Sequence, residues 1–216
     1  MERVYRSARG SALAIMLSTS ISMKTTAADV SPDRTVAATT SQAAVAKRWP
    51  SDSLNHLKIG FETSQGRKTS FAAGAGRVRI ITLFYASCPM ACPLTLDTLR
   101  NIDNALSPDE RSRFDVLLIT LDPERDTATA LHKLAVRRHI NEQRWTLGRA
   151  SSSDTRVLAG AMGIQYRQLD DGSFNHSSTL ILLDAQGRAI ARSSRMGVPD
   201  AQFVAILRST IDQSEQ

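Results

Sequence analysis

Runs of apolar residues along the chain predict a single α/β domain that begins near Leu57. Two of these runs, 78–85 and 114–121, are almost continuous and rich in β-branched residues, as expected of strands that are buried on both faces. Shorter apolar segments around turn residues predict a β-hairpin at the start of the domain and a strand pair near its end. The predicted strands are residues 57–61, 67–71, 78–85, 114–121, 178–184 and 189–193.

Apolar residues at helical spacing occupy intervals between the predicted strands. The first predicted helix starts near Pro93, which suits a first helical turn because that turn does not need its missing N–H. Its inward positions are Leu96, Leu99, Ile102 and Leu106. The other predicted helices begin at Asp126-Thr127, at Asp154 and at Pro199-Asp200. The order β-β-β-α-β-α-α-β-β-α predicts an α/β sandwich with a central mixed sheet flanked by helices and an extra N-terminal hairpin.

The N-terminal residues have the order of a secretory signal peptide. A basic stretch (1–10) precedes an apolar stretch (11–23) and small residues at 25–28. The apolar stretch is shorter than the roughly 20 residues that a membrane-spanning helix needs. Residues 1–28 are therefore predicted to be a targeting segment, with a disordered tail or an organelle transit peptide as the alternative. Residues 29–53 are rich in Ala, Thr and Ser and predict a flexible linker to the domain, residues 54–216.

This N-terminal organisation predicts an exported protein of the bacterial periplasm. Inner-membrane association through an uncleaved N-terminus is a variant of that prediction, and the mitochondrial intermembrane space is the alternative compartment. The sequence of the mature domain has no apolar stretch of membrane-spanning length, so no transmembrane span is expected there.

Charge and cysteine content exclude several classes of function. The net charge is +6, but removing residues 1–28 lowers it to +3, and the remaining basic residues are scattered. Because only 5% of the residues are aromatic as well, no nucleic-acid partner is expected. The chain has only two cysteines, which excludes a disulfide-rich scaffold, a zinc site with four cysteines and an iron–sulfur cluster.

Cys88 and Cys92 lie where the first long strand passes into the first helix, and this position matches thioredoxin. The N–H groups and dipole of a helix start favour the thiolate, which binds soft metals and attacks disulfides. A purely structural disulfide would contribute only about 2 kcal/mol, because the loop it closes is short. Three residues separate the cysteines, against two in a thioredoxin-type redox pair, and this spacing lets both sulfurs face one ion. Two thiolates favour Cu(I) or zinc, with imidazole as the usual third ligand.

His176 is the candidate third ligand among the four histidines. His56 lies at the edge of the domain, and His132 and His139 lie on a helix among basic residues, where solvated surface positions are the simplest interpretation. His176 lies in a polar stretch, 172–178, that is predicted to be a loop opening into an apolar strand. In a thioredoxin fold such a loop lies beside the loop that carries the cysteines.

Three sequence motifs, taken together, resemble those of the SCO/SenC family. They are residues 84–93 (Phe-Tyr-Ala-Ser-Cys-Pro-Met-Ala-Cys-Pro), residues 121–127 (Leu-Asp-Pro-Glu-Arg-Asp-Thr) and residues 175–177 (Asn-His-Ser). The first resembles the metal loop of that family, the second its Asp-Pro-x-Arg-Asp-Thr element, and the third the segment with its third ligand. The motifs follow the family's order, and the resemblance extends loosely from about 57 to 212. Met90 is a departure, because family loops often carry an acidic residue after Cys-Pro.

The resemblance implies a thioredoxin-like fold that binds Cu(I) or Cu(II) through Cys88, Cys92 and His176. It also implies a role in assembling the dinuclear CuA centre of cytochrome c oxidase, by delivering copper to the CuA subunit or by reducing its cysteines. Asp122 is a candidate for supporting the metal loop from outside the ligand set. Met90, a soft and polarizable side chain, is a candidate for approaching Cu(I), and the alternative is a loop residue that covers the site. A strand end with an ion pair is the alternative role for Asp122.

A thiol–disulfide oxidoreductase is the main alternative to a copper-binding assembly factor. In that case one of Cys88 and Cys92 attacks a partner disulfide and the other resolves the intermediate. His176 discriminates between the two functions, because metal binding needs it and dithiol exchange does not. A peroxide-reducing enzyme on the same fold is a more distant possibility. Reduced cysteines in an oxidising compartment require a further partner, a periplasmic thiol reductase.

Overall fold

A computed structural model describes residues 49–88 and 91–214 of the chain. The predicted signal segment, most of the predicted linker and Met90 lie outside these described residues. The strands are β1 (Gly60–Thr63), β2 (Lys68–Ser70), β3 (Val78–Phe84), β4 (Phe114–Thr120), β5 (Trp145–Ala150), β6 (Tyr166–Gln168), β7 (Phe174–His176), β8 (Leu180–Leu183) and β9 (Ala189–Ser193). The helices are α1 (Ala91–Asn104), α2 (Pro108–Ser112), α3 (Ala128–Arg137), α4 (Ser152–Ala161) and α5 (Ala201–Gln213).

Seven of the strands form a mixed sheet in the order β2-β1-β5-β4-β3-β8-β9. Strand β4 is parallel to both β3 and β5, whereas β1 and β8 run antiparallel to their neighbours β5 and β3. The two remaining strands, β6 and β7, form a separate antiparallel pair. The predicted α/β sandwich with a central mixed sheet, flanking helices and an N-terminal hairpin is thereby confirmed.

The core lies on both faces of the central strands. Neighbouring side chains of β3 such as Ile80 and Ile81 point to opposite faces, and both are fully buried. The helices supply the covering layers with the apolar positions that their periodicity predicts, including Leu99 of α1, Leu131 of α3 and Leu207 of α5. In the described part of the chain, no helix is both long enough and apolar enough to cross a membrane.

Strand β5 is an addition to the predicted order, because its sequence lacks a continuous apolar run. Its Gly148 is a poor strand former, but the packing requires it. A Cβ at position 148 would lie 2.6 Å from the ring of Phe61 and 2.9 Å from the side chain of Ile119. Tertiary packing between β1 and β4 therefore overrides the weak local preference for a strand.

The polar stretch that contains His176 is a hairpin, whereas the sequence predicts a loop. Strands β6 and β7 have three residues each, with Tyr166 opposite His176 and Gln168 opposite Phe174. Gly172 stands in the connection with φ 77°, a conformation that favours glycine. Strands so short and polar carry too weak a pattern to be predicted. We call residues 166–176 the histidine hairpin.

Candidate metal centre

Cys88, Cys92 and His176 come together at the end of β3. Their ligand atoms, two sulfurs and one imidazole nitrogen, all lie within 4.8 Å of one another. Cys88 lies in the turn after β3, Cys92 in the first turn of α1, and His176 at the end of β7. The three residues proposed from sequence as metal ligands thus form one cluster, and the two cysteines are not joined in a disulfide.

Backbone hydrogen bonds hold the chain between β3 and Cys88, which we call the cysteine loop (residues 85–88). The amide of Cys88 donates to the carbonyl of Tyr85 over 3.2 Å. The amide of Cys92, at the start of α1, donates to Cys88 Sγ over 3.3 Å. A helix-start N–H thus stabilises negative charge on the Cys88 sulfur, as the sequence position predicts.

Cys92 has a different environment from Cys88. Its side chain is buried at 5% exposure, whereas Cys88 is only partly buried. Burial raises the pKa of the Cys92 thiol strongly, and a hydrogen bond with the Tyr85 backbone opposes this effect only in part. The general expectation that the helix start favours thiolates therefore does not hold for Cys92, which is a thiol in the metal-free protein. The more exposed Cys88 is the sulfur that another molecule can reach.

His176 presents an imidazole that suits a soft metal. Both ring nitrogens are buried, and neither forms a hydrogen bond with any residue that the structure describes. Burial lowers the pKa of the imidazole, opposed by a weaker polar contact with the Ser177 backbone, so the ring is neutral near pH 7. Buried polar atoms without a partner are costly and rare. A neutral imidazole beside two sulfurs is a donor set that fits copper.

Tyr85 is a residue of the site that sequence reasoning missed. Its ring meets that of His176 edge-on at 5.8 Å between centroids and that of Phe174 at 5.2 Å. Its hydroxyl contacts the carbonyl of Phe174, and it also hydrogen-bonds with Cys88. The Tyr85 ring therefore joins the cysteine loop to the histidine hairpin. The available signal was an aromatic residue three positions before Cys88.

Asp126 holds the cysteine loop in place through a hydrogen bond to its backbone. Its carboxylate is buried at 3% exposure and accepts a 2.8 Å hydrogen bond from the amide of Ala86 and another from the hydroxyl of Thr120. Burial raises the pKa of Asp126, and these two hydrogen bonds oppose the rise. The helix start predicted at Asp126-Thr127 is capped by Thr127, whose side chain accepts from the amide of Ala130, while Asp126 binds the cysteine loop.

Arg125 supports the histidine hairpin in a similar way. Its guanidinium donates to the buried carboxylate of Asp122 and to the carbonyl of Gly172 at the tip of the hairpin. Asp122 therefore acts on the site through Arg125, in the ion pair considered as its alternative role. The motif at residues 121–127 therefore contacts both parts of the site: Asp126 binds the cysteine loop, and Arg125 binds the histidine hairpin.

Replacing Asp126 with alanine is expected to weaken both the fold and the site. It leaves the Ala86 amide and the Thr120 hydroxyl without an acceptor, so the free energy of unfolding should fall by about 1–3 kcal/mol. Asp126 contacts the loop backbone and not a candidate ligand atom, so metal affinity should fall by about tenfold, the lower end of the effect of losing a residue that orients a ligand. Urea unfolding and a copper titration measure the two effects. Asp126→Asn keeps an acceptor oxygen and should restore most of both, and equal losses in the two variants would contradict this role.

The other three histidines lie elsewhere, and two of them have partners of their own. His56 Nε2 is 2.9 Å from the carbonyl oxygen of Pro50, and His132 Nδ1 is 2.9 Å from a carboxylate oxygen of Glu142. His139 is exposed at the end of α3. None of the three belongs to the cluster of Cys88, Cys92 and His176 that the described residues form.

The mixed sheet carries two cysteines where a parallel strand meets a helix, and a histidine lies beside them. These features define a thioredoxin-like protein with a combined thiol and imidazole site. The sequence profile of the SCO1/SenC family matches residues 55–212 of this chain. The chain belongs to that family.

Individual relatives agree with this assignment. The crystal structure of Arabidopsis thaliana ScoI with copper bound is similar, with a TM-score of 0.57, 17% identity, and coverage of 73% of this chain and 95% of that one. BsSco, described as a member of the Sco family of cytochrome c oxidase assembly proteins with a disulfide switch, gives a TM-score of 0.61, 17% identity, and coverage of 72% and 92%. These likenesses show the fold.

One curated relative shares a shorter segment of sequence. It is a protein of Stutzerimonas stutzeri named "Putative copper-binding protein", 38% identical over 56 residues. That segment is 26% of this chain and spans only 28% of the relative.

Proposed function

We propose that the protein binds copper through Cys88, Cys92 and His176 and serves as an assembly factor for the CuA centre of cytochrome c oxidase. The observation that carries the proposal is the cluster itself, in which two sulfurs and an imidazole nitrogen lie within 4.8 Å of one another. The unpartnered, neutral imidazole of His176 supports it, because a ligand nitrogen must keep its lone pair available. Membership of the SCO1/SenC family and the copper-bound relative support copper over zinc.

The unequal exposure of the two cysteines suits transfer of copper to another protein. Cys92 is buried and His176 is partly buried, so these two ligands hold the ion from the protein side. Cys88 is more accessible and is the ligand that a recipient thiolate can replace first. The proposed recipient is the CuA subunit or a similar copper protein. We place the protein in the bacterial periplasm, where a thiol reductase keeps the cysteines reduced.

Thiol–disulfide exchange is a second candidate, and the environment of Cys88 favours it. The Cys88 thiolate, stabilised by the Cys92 amide, attacks a partner disulfide, forms a mixed disulfide and releases one partner thiolate. The Cys92 thiol then loses its proton and attacks Cys88 Sγ. This forms the Cys88–Cys92 disulfide and releases the second partner thiolate. The partner is reduced by two electrons, and a reductase must restore the dithiol.

Anaerobic titration of the reduced full chain with Cu(I), against a competing chelator, tests the proposed function. One equivalent should bind tightly. No tight binding, together with rapid reduction of a test disulfide, would replace the copper-binding proposal with the oxidoreductase.

Copper affinity is expected to rise with pH across the neutral range. The raised pKa keeps Cys92 protonated in the metal-free protein, so binding must release that proton. Each released proton strengthens apparent affinity by about tenfold per pH unit. His176, with its lowered pKa, is already neutral and adds no such dependence near pH 7. Titrations at several pH values measure the slope, which His176→Ala should preserve; a pH-independent affinity would contradict a protonated Cys92.

A further inference from the structure

A cleft lies at the opposite end of β3 from the cysteines. It has a volume of about 330 Å³ and is formed by β1, β2, the amino ends of β3 and β4, and a short 3-10 helix, Phe71–Gly74. Strand β3 has seven residues, so its two ends are roughly 20 Å apart. The cleft is therefore separate from the candidate metal centre. We call it the basic cleft.

The lining of the basic cleft is rich in hydrogen-bond donors and positive charge. Its ionisable residues are Arg67, Lys68, Arg77, Arg79 and Asp115. Four hydroxyl side chains also line it: Thr63, Thr69, Ser70 and Thr146. Four cations face one carboxylate, so the cleft as a whole carries excess positive charge that an anion would balance.

Arg79 is the residue of the basic cleft whose guanidinium is fixed by its contacts. Its guanidinium occupies the space beside Gly74, where a Cβ would come within 1.1 Å of Nη2 and would push the guanidinium aside. It also lies over the Phe71 ring, 5.8 Å from the centroid, and donates to the Phe71 carbonyl over 3.3 Å. The packing thus holds this guanidinium in a defined place.

The charge of Arg79 is not compensated by the described residues. Its Nε is buried without a hydrogen-bond partner, and Arg79 forms no ion pair within the described part of the chain. Arg144, whose Nε is also buried and without a partner, instead has two hydrogen bonds to Asp103, of 2.9 and 2.8 Å. The Arg79 side chain as a whole is partly buried, and taking a cation out of water without a counter-ion is costly. Arg79 therefore differs from an ordinary structural arginine.

Asp115 does not serve as the counter-ion of Arg79. It is the cross-strand neighbour of Arg79, but both of its carboxylate oxygens lie 3.0 Å from Nε of Arg77. Burial lowers the pKa of Arg79, and the opposing effect of Asp115 is smaller. The positive charge of the Arg79 guanidinium is therefore not paired with a carboxylate in the cleft.

We propose that the basic cleft binds a phosphate group, with Arg79 as its central contact and Arg67, Lys68 and the hydroxyls around it. Guanidinium groups match the oxygens of phosphate in a fork geometry, and hydroxyls donate to the remaining oxygens. The group is either inorganic phosphate or the headgroup of an anionic phospholipid. Neither source depends on metal binding at the cysteines.

Thermal unfolding of the reduced, metal-free full chain in sodium phosphate, against sodium chloride of equal ionic strength, tests the proposal. The midpoint temperature should rise with phosphate concentration, because a ligand bound only to the folded state stabilises it. Arg79→Met should raise the midpoint without phosphate, since it removes an uncompensated, partly buried charge, and should greatly reduce the phosphate response. The exposed Arg137→Met, on α3, is the control and should respond like the wild type.

Two further variants keep the test valid if Arg79→Met does not fold. Lys68→Gln changes an exposed residue and should weaken phosphate binding measurably. Asp115→Asn should strengthen it, because it removes the one carboxylate and releases Arg77. Losing Arg79 itself should weaken binding by about 10- to 100-fold, the range for a charge-assisted hydrogen bond. No phosphate-specific stabilisation in the wild type, or an unchanged response in both Lys68→Gln and Asp115→Asn, would overturn the proposal.

Vesicle sedimentation distinguishes the two sources of phosphate. Vesicles of phosphatidylcholine with phosphatidylglycerol are compared with phosphatidylcholine alone, and every variant carries the same basic N-terminal residues. Phosphatidylglycerol-dependent binding that falls in Lys68→Gln and Arg79→Met identifies the lipid headgroup. Equal vesicle binding by all variants, with a variant-dependent response to inorganic phosphate, identifies the free anion.

Discussion

Replacing Cys92 with serine is expected to abolish tight Cu(I) binding. Removing a residue that hydrogen-bonds to a metal ligand typically lowers metal affinity by about 10–100-fold. Loss of a ligand sulfur itself should lower the affinity further. Cys92 is the more critical sulfur, because it is buried and holds the ion from the protein side. A serine hydroxyl is a hard, neutral donor and does not replace a soft thiolate. The chelator-competition titration measures the loss.

A buried serine hydroxyl could also destabilise the fold, so Cys92→Ala is the matched variant. Thermal unfolding of both metal-free variants separates a lost ligand from a lost fold. Cys88→Ser is expected to lower affinity too, with a smaller effect on stability because Cys88 is more exposed. Wild-type affinity in a folded Cys92→Ala protein would rule out the proposed site.

Replacing His176 with alanine is expected to weaken copper binding by more than about tenfold and to remove an imidazole signature from the Cu(II) spectrum. The reason is that its ring nitrogen is the third donor of the cluster, and no other histidine lies within reach of the two sulfurs in the described structure. The same variant should retain thiol–disulfide exchange, since neither step of that reaction uses the imidazole. The variant therefore separates the two candidate functions.

His132→Ala is the matched control, because His132 is an exposed histidine that contacts Glu142 instead of the cysteines. Its copper affinity and Cu(II) spectrum should equal those of the wild type. If His176→Ala and His132→Ala give the same spectrum and affinity, His176 is not a ligand. A parallel loss of copper binding and disulfide exchange in His176→Ala would indicate a disturbed cysteine loop, through the ring contact with Tyr85.

The strands and helices with strong local patterns were predictable from sequence. Strands β3 and β4 are almost continuously apolar, and α1 and α3 carry their buried residues at helical spacing. Few other structures would bury the apolar residues of such patterns. Strand β5 was not predictable in this way. Its Gly148 is explained only by the Phe61 ring that lies against it after β1 joins the sheet.

The sequence by itself determined the fold class and the residue types of the candidate site. The cysteine spacing and its place between strand and helix are local features, and the three ordered motifs identify the family segment by segment. The tertiary structure alone decided the arrangement: His176 on a hairpin, Tyr85 between that hairpin and the cysteine loop, and Asp126 against the loop backbone. It also decided that Arg79 is partly buried, with its Nε buried and no ion pair among the described residues. These features depend on contacts between residues far apart in the chain, and such contacts leave no periodic pattern in the sequence.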